Sequence, residues 1–290
     1  MELLSAKELS KYLKINEKKI YKLAQDGAIP HVKIGGKIAF AKELIDKWIL
    51  ENTEREKRIL IAGSDDPLLR RVIDLFNGEH KGVIYYAPVG SINGLKLLQA
   101  NAANMSCVHI LDMEKKSYTL TYINRYLPKD DYKAIQLFHR NQGLFLKKNN
   151  PKGVHSIKDL ADRNVAFMNR NEGSGTRLLF DFLLRESNID RTAINGYGKE
   201  AESHMEAGIS VLKGEADAAF GIEHTAHILD LDFVPLFQER FDLVIPADCF
   251  HAPQVKSFLT FFEQPALLHY IKDFTGYDLK NTGALLEASA

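Results

Sequence analysis

Apolar positions along this chain recur with two periods, and the changes between them mark its elements. In SAKELSKYL, Leu9, Tyr12 and Leu13 share one helical face, and Ser5 stands three residues before Glu8. That is capping-box spacing, so a short helix begins at Ser5. After the turn KIN, EKKIYKLAQDG carries Ile20, Leu23 and Ala24 at helical spacing, with Gly27 as a stop and Pro30 just beyond. HVKIGGKIAF alternates on either side of Gly35-Gly36, the signal of a two-residue hairpin. AKELIDKWILENTEREKR then predicts a third amphipathic helix with the stripe Leu44, Ile45, Trp48 and Ile49, running into a charged tail that reads as a linker or an extended helix.

From there on, apolar runs alternate with helical patterns. RILIAGS, GVIYYAPVG, MSCVHILD, NVAFMNR, ADAAFGI and FVPLF read as strands. DPLLRRVIDLF, SINGLKLLQANAA, GSGTRLLFDFLLRES, HMEAGISVLKGE and EHTAHILD read as helices. Such alternation specifies a parallel sheet covered by helices, here in two α/β lobes with crossovers near 138–147 and 237–246. Neither an internal repeat nor a low-complexity stretch interrupts it.

Composition supports two or three compact units: 290 residues with 45% hydrophobic and 26% charged side chains make an ordinary globular chain. No run of about 18 apolar residues offers a membrane span, and MELLSAKELSKYLK has charges where a signal peptide needs an apolar core. The expected location is therefore the cytoplasm, with no membrane partner. Cys107 and Cys249 lack metal-ligand spacing, so a reduced, buried pair is expected, with no cofactor. Net charge is zero overall, but residues 1–58 hold 13 Lys/Arg against 9 Asp/Glu. This local positive excess points to nucleic acid as a partner of the N-terminal segment.

The stretch LSAKELSKYLKINEKKIYKLAQDGAIPHVKIGGKIAFAKELIDKWI resembles the winged helix-turn-helix of excisionase and MerR-like DNA-binding families over residues 3–49. The resemblance implies a second helix in the major groove and a wing against the neighbouring backbone. By position, the reading helix offers Asn16, Lys18, Lys19, Tyr21 and Lys22 to double-stranded DNA, and the wing offers Lys33 and Lys37. Lysines and amides at a helix start neutralise phosphates and reach base edges.

Several strands end in a small polar residue that opens a helix: Ser64, Ser91 with Gly94, and Ser174-Gly175-Thr176. In open α/β sheets, ligands sit beyond the carboxyl ends of strands, where free helix N–H groups favour negative charge. In NRNEGSGTR, Gly173 and Gly175 let the backbone approach a ligand, Ser174 and Thr176 supply hydroxyls, and Arg170 or Arg177 gives a two-pronged contact. The stretch has neither the GxxxxGK[ST] nor the GxGxxG pattern, so nucleotide binding is not indicated.

Motifs from GSINGL through HRNQGLFLKKNNP, NRNEGSGTRLLFDFLL and VLKGEADAAFGIE to LDFVPLFQERFDLVI resemble the periplasmic-binding-protein-like domain of cytoplasmic regulators and some molybdenum-cofactor proteins, over about residues 59–250. That resemblance implies two lobes closing on a small ligand, with relatives associated with molybdate or tungstate. Cleft candidates by position are Ser64 and Ser91 from the first lobe, Arg140 and Gln142 at the crossover, and Arg170, Ser174, Gly175, Thr176 and Arg177 from the second. Glu200, His204 and Glu223 stand at loop or helix starts that face the same way. Acids near the cleft oppose a bare dianion unless they are paired or turned away.

No GxSxG elbow or HExxH pattern appears, and EHTAH places His224 and His227 at i, i+3 only. The expectation is a non-enzyme of α/β class: a winged helix-turn-helix at 1–50, a charged linker at 51–58, and a two-lobed type II periplasmic-binding-protein-like sensor at 59–290, its second lobe about 140–240. Its expected role is a homodimeric, one-component transcription regulator that binds DNA and senses a small anion of the molybdate or tungstate kind. The alternatives are a sensor for an organic carboxylate or cofactor precursor, a binding module or enzyme of molybdenum-cofactor metabolism, or an architectural DNA-bending factor.

Overall fold

A computed structural model describes residues 2–52, 58–80, 83–111, 120, 122–162 and 164–286. The chain divides into two compact units, Met1–Lys57 and Arg58–Ala290. Most of the stretch read as a linker, 53–57, lies outside the described residues.

The first unit runs β1 (Leu3–Ser5), α1 (Ala6–Leu13), α2 (Glu17–Gln25), β2 (Val32–Ile34), β3 (Lys37–Ala41) and α3 (Lys42–Asn52). Ser5 caps α1 in a complete capping box: Ser5 N donates to Glu8 Oε2 at 2.8 Å and Glu8 N donates to Ser5 Oγ at 3.3 Å. Gly35 and Gly36 have φ of +56° and +78°, the left-handed pair that a tight hairpin between β2 and β3 requires. β1 adds a third strand beside β3, which the sequence pattern did not reveal. Leu9, Ile20, Ala24, Ile29, Phe40 and Ile45 form the core. Leu44 is 54% exposed, contrary to the expected stripe. Ile45, Trp48 and Ile49 share the inward face at i, i+3 and i+4, and Leu44 sits about 100° round the helix from Ile45. Tyr12 is also exposed and donates to Asp46 Oδ1 at 2.6 Å.

The second unit opens with β4 (Ile59–Gly63), α4 (Pro67–His80), β5 (Ile84–Pro88), α5 (Ser91–Gln99) and β6 (Met105–Val108). A long strand, β7 (Tyr132–Leu146), leads to α6 (Asp159–Asp162), β8 (Phe167–Arg170), α7 (Gly175–Glu186), β9 (Glu200–Ala201), α8 (His204–Lys213), β10 (Ala218–Ile222) and α9 (Glu223–Ile228). A second long strand, β11 (Asp232–Pro246), returns to α10 (Pro253–Phe261), α11 (Pro265–Ile271), β12 (Tyr277–Asp278) and β13 (Leu285–Leu286).

Among the described residues the sheet has ten strands, in the order β5-β4-β6-β11-β7-β10-β8-β9, with β12 and β13 pairing with β7. β4 runs parallel to β5 and β6, and β8 parallel to β10 and β9, but β7 and β11 pair antiparallel along their whole length. The sheet is therefore mixed: the crossovers are two long strands belonging to both lobes, not loops. The change of lobe falls at 140–142, since β12 pairs with β7 at Arg140 while β10 pairs with it at Gln142. Register shifts at Pro235/Phe237 and Phe241/Asp242 bend β11 on either side of that point.

Each lobe has apolar packing on both faces of its part of the sheet. In the first lobe, Leu68, Leu69, Val72 and Phe76 of α4 pack with Phe258 and Leu267 on one face, and Leu95 and Leu98 of α5 cover the other. In the second, Leu179, Phe180 and Leu184 of α7 pack on Phe167 and Phe220, while Ala207 and Val211 of α8 pack opposite, on Phe145. Neither cysteine is in a disulfide; Cys107 is buried, and Cys249, contrary to expectation, only half-buried.

Candidate functional site

β4, β5 and β6 end beside one another at Gly63, Pro88 and Val108, and β8 ends at Arg170 across the gap between lobes. The segments leaving these ends enclose a cleft of about 360 Å³. Ser64, Asp65, Gly90, Asn93 and His109 line it from the first lobe; Arg170, Asn171, Ser174, Thr176 and His204 line it from the second. Gly90 has φ +84°, and a Cβ there would sit 3.4 Å from Gly173 O, so the two rims meet at this point.

Helix starts converge on the cleft. Gly90, the N-cap of α5, offers no side-chain cap, which leaves the first N–H groups of that helix free of one. Ser174 caps α7 by accepting from Arg177 N at 3.2 Å. His204 is the first residue of α8, after the cap Ser203. The aligned dipoles favour negative charge in the space between them.

Arg170 is the cation of the cleft lining, which also carries the carboxylates Asp65 and Glu202. Its Nε donates to Ala201 O at 3.2 Å and its Nη2 to Glu202 O at 3.1 Å, both carbonyls. Its Nη1 is buried without a partner among the described residues, as are His204 Nδ1 and Asn171 Oδ1. Burial brings the Arg170 guanidinium down to about 10, with Asp65 opposing that shift and Arg140 adding to it. Burial likewise holds the His204 ring well below the ordinary imidazole range, and Arg170, Arg140 and His109 push the same way. Asp65 is directed partly to Arg70, at 3.7 Å.

Other sequence candidates lie behind or beside the cleft. Ser91 is buried behind Ser64, and their hydroxyls hydrogen-bond. Gln142 donates to Thr176 Oγ1 at 3.2 Å and so orients a lining residue without lining the cleft itself. Arg140 is fully buried at the hinge, bonded through Nε to Glu239 Oε1 and through Nη1 to Asp66 Oδ2, both at 2.5 Å. Two carboxylates hold it, and it does not line the cleft. Arg177 is turned away from the cleft: it donates to Arg170 O at 3.0 Å and Glu200 Oε1 at 3.2 Å, over the Tyr197 ring. Glu223 accepts from Asn141 Nδ2 at 2.9 Å and packs against Gly276, outside the lining. At Gly175 the close approach is made by another side chain, since a Cβ there would lie 2.5 Å from His109 Cε1.

Asp65, Asn93, His109, Asn171 and Glu202 line the cleft but were missed in sequence. The strand-end rule that selected Ser64 applies equally to Asp65 and to His109, one residue past β6. Asn171 lies inside NRNEGSGTR itself. Among the described residues, no group of three or more His, Cys, Asp or Glu is placed to hold a metal, and His224 stacks on Phe274 at 4.3 Å.

A family model described as the PBP superfamily domain matches residues 73–263. The chain belongs to the PBP superfamily. A second family model, the helix-turn-helix domain, matches residues 3–53, so a helix-turn-helix module of excisionase type precedes the PBP domain. The Bacillus subtilis (strain 168) "Uncharacterized protein YvgK" is 26% identical over 303 residues, covering 96% of each chain. Among solved structures, the tungstate ABC transporter of Geobacter sulfurreducens has a TM-score of 0.55 and 16% identity over 76% of this chain and 100% of its own. A putative phosphate ABC transporter substrate-binding protein from Clostridium perfringens, with bound phosphate, scores 0.56 at 15% identity over 75% and 98%. At these identities the likeness shows the fold. No helix among the described residues is long and apolar enough to cross a membrane.

In the helix-turn-helix module, α2 turns Ile20 and Ala24 inward and leaves Lys18, Lys19, Tyr21 and Lys22 exposed. Lys33 and Lys37 are exposed on the hairpin beside Val32 and Ile34. Asn16 differs from the rest of the expected set: its Oδ1 accepts from Lys18 N at 2.8 Å and caps α2.

Proposed function

We propose that this protein is a one-component transcription regulator whose helix-turn-helix module binds double-stranded DNA and whose PBP domain senses a small anion in the interlobe cleft. The observation that carries the sensor is Arg170, a buried guanidinium bonded only to carbonyls, with an unpartnered Nη1 at the meeting point of helix starts and with Asp65, Glu202 and Glu206 acting on it only from a distance. A desolvated cation with no carboxylate bonded to it is costly, and an anion that accepts its remaining hydrogens relieves the cost. Ser64, Thr176 and the amides at the start of α5 supply further donors, whereas the Ser174 hydroxyl already donates to Asn171 O. Such a donor set suits a tetrahedral oxyanion, and the likeness to a tungstate transporter favours molybdate or tungstate as the first probes. Anion binding across the two rims favours the closed lobes, and in a homodimer this changes how the two DNA-binding modules engage their half-sites.

The test is calorimetric titration of the full chain with molybdate, tungstate, sulfate and phosphate, followed by gel shift on duplexes enriched from a randomised pool. Micromolar binding of molybdate or tungstate that changes DNA affinity is expected. Binding of any of them without effect on DNA would reduce the protein to a binding module. A second reading, an organic carboxylate, is favoured by the cleft volume of about 360 Å³ and by Asn171 Oδ1, an acceptor in need of a donor. That volume has room for on the order of ten waters at ~30 Å³ each. A thermal-shift scan of hydroxy-carboxylates separates the two readings.

A further inference from the structure

Two histidines face the cleft in different electrostatic surroundings. Around His204, the charged groups Arg170, Arg140 and His109 all oppose a positive ring. His109 instead has Nδ1 2.6 Å from Glu239 Oε2. A carboxylate only accepts, so Nδ1 carries the hydrogen and the neutral ring keeps its lone pair on Nε2. The His109 ring lines the cleft and packs against the start of α7, where a Cβ on Gly175 would lie 2.5 Å from Cε1, 2.7 Å from Nε2 and 2.8 Å from Nδ1.

The charges behind His109 do not balance. Glu239 and Asp66 are both fully buried and share the single guanidinium of Arg140. With both carboxylates ionised and His109 neutral, this group holds one negative charge too many; Leu69 N and Tyr277 Oη temper it by donating to Asp66, whose carboxyl burial raises, and a proton on His109 would cancel it. In the empty cleft burial opposes that proton most, Glu239 favours it, and Arg140 and Arg170 oppose it. The helix start at Gly175 opposes it as well. An anion seated on Arg170 offsets that cation and the helix dipole, and adds its own attraction to a charged ring.

We propose that His109 is a specificity-determining residue of the cleft: the anion binds together with one proton, which solvent delivers to His109 Nε2 and which leaves again with the anion. This rests on the anion-sensor reading above. Once formed, Nε2–H is a donor, so the pair suits fully deprotonated oxyanions and carboxylates, whose oxygens only accept. A ligand carrying its own acidic hydrogen, such as hydrogen phosphate, donates to the neutral Nε2 and takes up no proton. The groups that set this balance are Glu239 on β11, Arg140 on β7, Arg170 on β8, Ser91 and Asp65 beside the β4 and β5 ends, the Gly175 amide, and His204 on α8. The sign follows from linkage: affinity for the deprotonated anion falls about tenfold per pH unit as pH rises between the empty-state pKa, below the ordinary imidazole value, and the occupied-state pKa above it.

The test is calorimetry of the full chain with tungstate at pH 7 in buffers of different protonation enthalpy, which counts protons taken up per anion. Uptake close to one is expected in the wild type, and close to zero in His109→Gln. Tungstate binding without uptake, or uptake unchanged in His109→Gln, overturns the assignment and leaves the anion sensor standing. If tungstate, molybdate, sulfate, phosphate and small carboxylates all fail to bind, the sensor reading fails and this inference with it. Should His109→Gln not fold by circular dichroism, ring ¹⁵N shifts of wild-type His109 decide: a ring that becomes charged on adding tungstate supports the assignment, and one that stays neutral overturns it.

Discussion

Arg140 and Arg170 are both buried, one in the hinge between the lobes and the other on the wall of the cleft. The hinge arginine has carboxylates on two sides, and although burial pulls its pKa down, Glu239 and Asp66 raise it above the ordinary guanidinium value. The cleft arginine has only carbonyl oxygens and an empty Nη1, and burial lowers it. A buried cation bonded to carboxylates of its own chain serves the fold, and one bonded only to carbonyls, with Asp65, Glu202 and Glu206 at a distance, keeps a donor for an anion from outside. Arg177, the third arginine of interest, is paired with Glu200 and Asp181 and belongs with the first kind.

The strongest way to break this contrast is Arg140→Met. It leaves Glu239 and Asp66 buried without their cation, and the expected cost is about 3–5 kcal/mol of stability, read by chemical denaturation. The pH dependence of stability carries the same signature. Burial would raise the Glu239 carboxyl, but Arg140 and His109 hold it at about 2, below its ordinary 4.5. A depressed folded pKa means that this contribution is complete above pH 4.5 and is lost as pH falls towards 2. Glu239→Gln should flatten that part of the stability profile.

Arg170→Met should show the opposite pattern. Stability should change by no more than about 1 kcal/mol, because a desolvated cation and two carbonyl contacts are lost together. Affinity for the probe anion should fall by about 1.5–3 kcal/mol, the range for a hydrogen bond to a charged group, as measured by calorimetry. A variant that binds tungstate normally would remove Arg170 from the site.

Gly175→Ala sharpens the contrast from the other wall. The added methyl would stand 2.5 Å from His109 Cε1, and Glu239 holds that ring in place. The rims then cannot close as observed, and anion affinity should drop about tenfold, or about 1.4 kcal/mol. The smallest effect is expected for Arg177→Ala, at about 1 kcal/mol of stability or less, since its Glu200 and Asp181 partners are each more than one-third exposed. Its anion affinity should stay within about threefold of wild type by the same calorimetry, the reverse of what NRNEGSGTR read alone suggests.

Most of the elements were legible because their signals are local. Ser5 with Glu8, the Gly35-Gly36 pair and the spacing of Ile20 and Ala24 each lie within a few residues, and each forms as read. Leu44 was misread because a stripe of four apolar residues on one turn is too wide for the face that α3 buries. β1 was missed because three residues carry no period, and its place depends on β3, more than thirty residues away. The mixed sheet was missed for a similar reason: strand pattern shows existence, and direction depends on partners.

The sequence by itself determined the order of elements, the helix-turn-helix with its basic face, and the strand-end loops around which a ligand site is built. Which side chains of those loops meet the cleft was decided only by the tertiary structure. Arg140 meets Glu239 across 99 residues and Asp66 across 74, and those pairings separate it from Arg170. Charge compensation at a buried site depends on what the fold brings within a few ångströms. Two arginines seven residues apart, Arg170 and Arg177, therefore read alike in sequence and stand in opposite relations to the cleft.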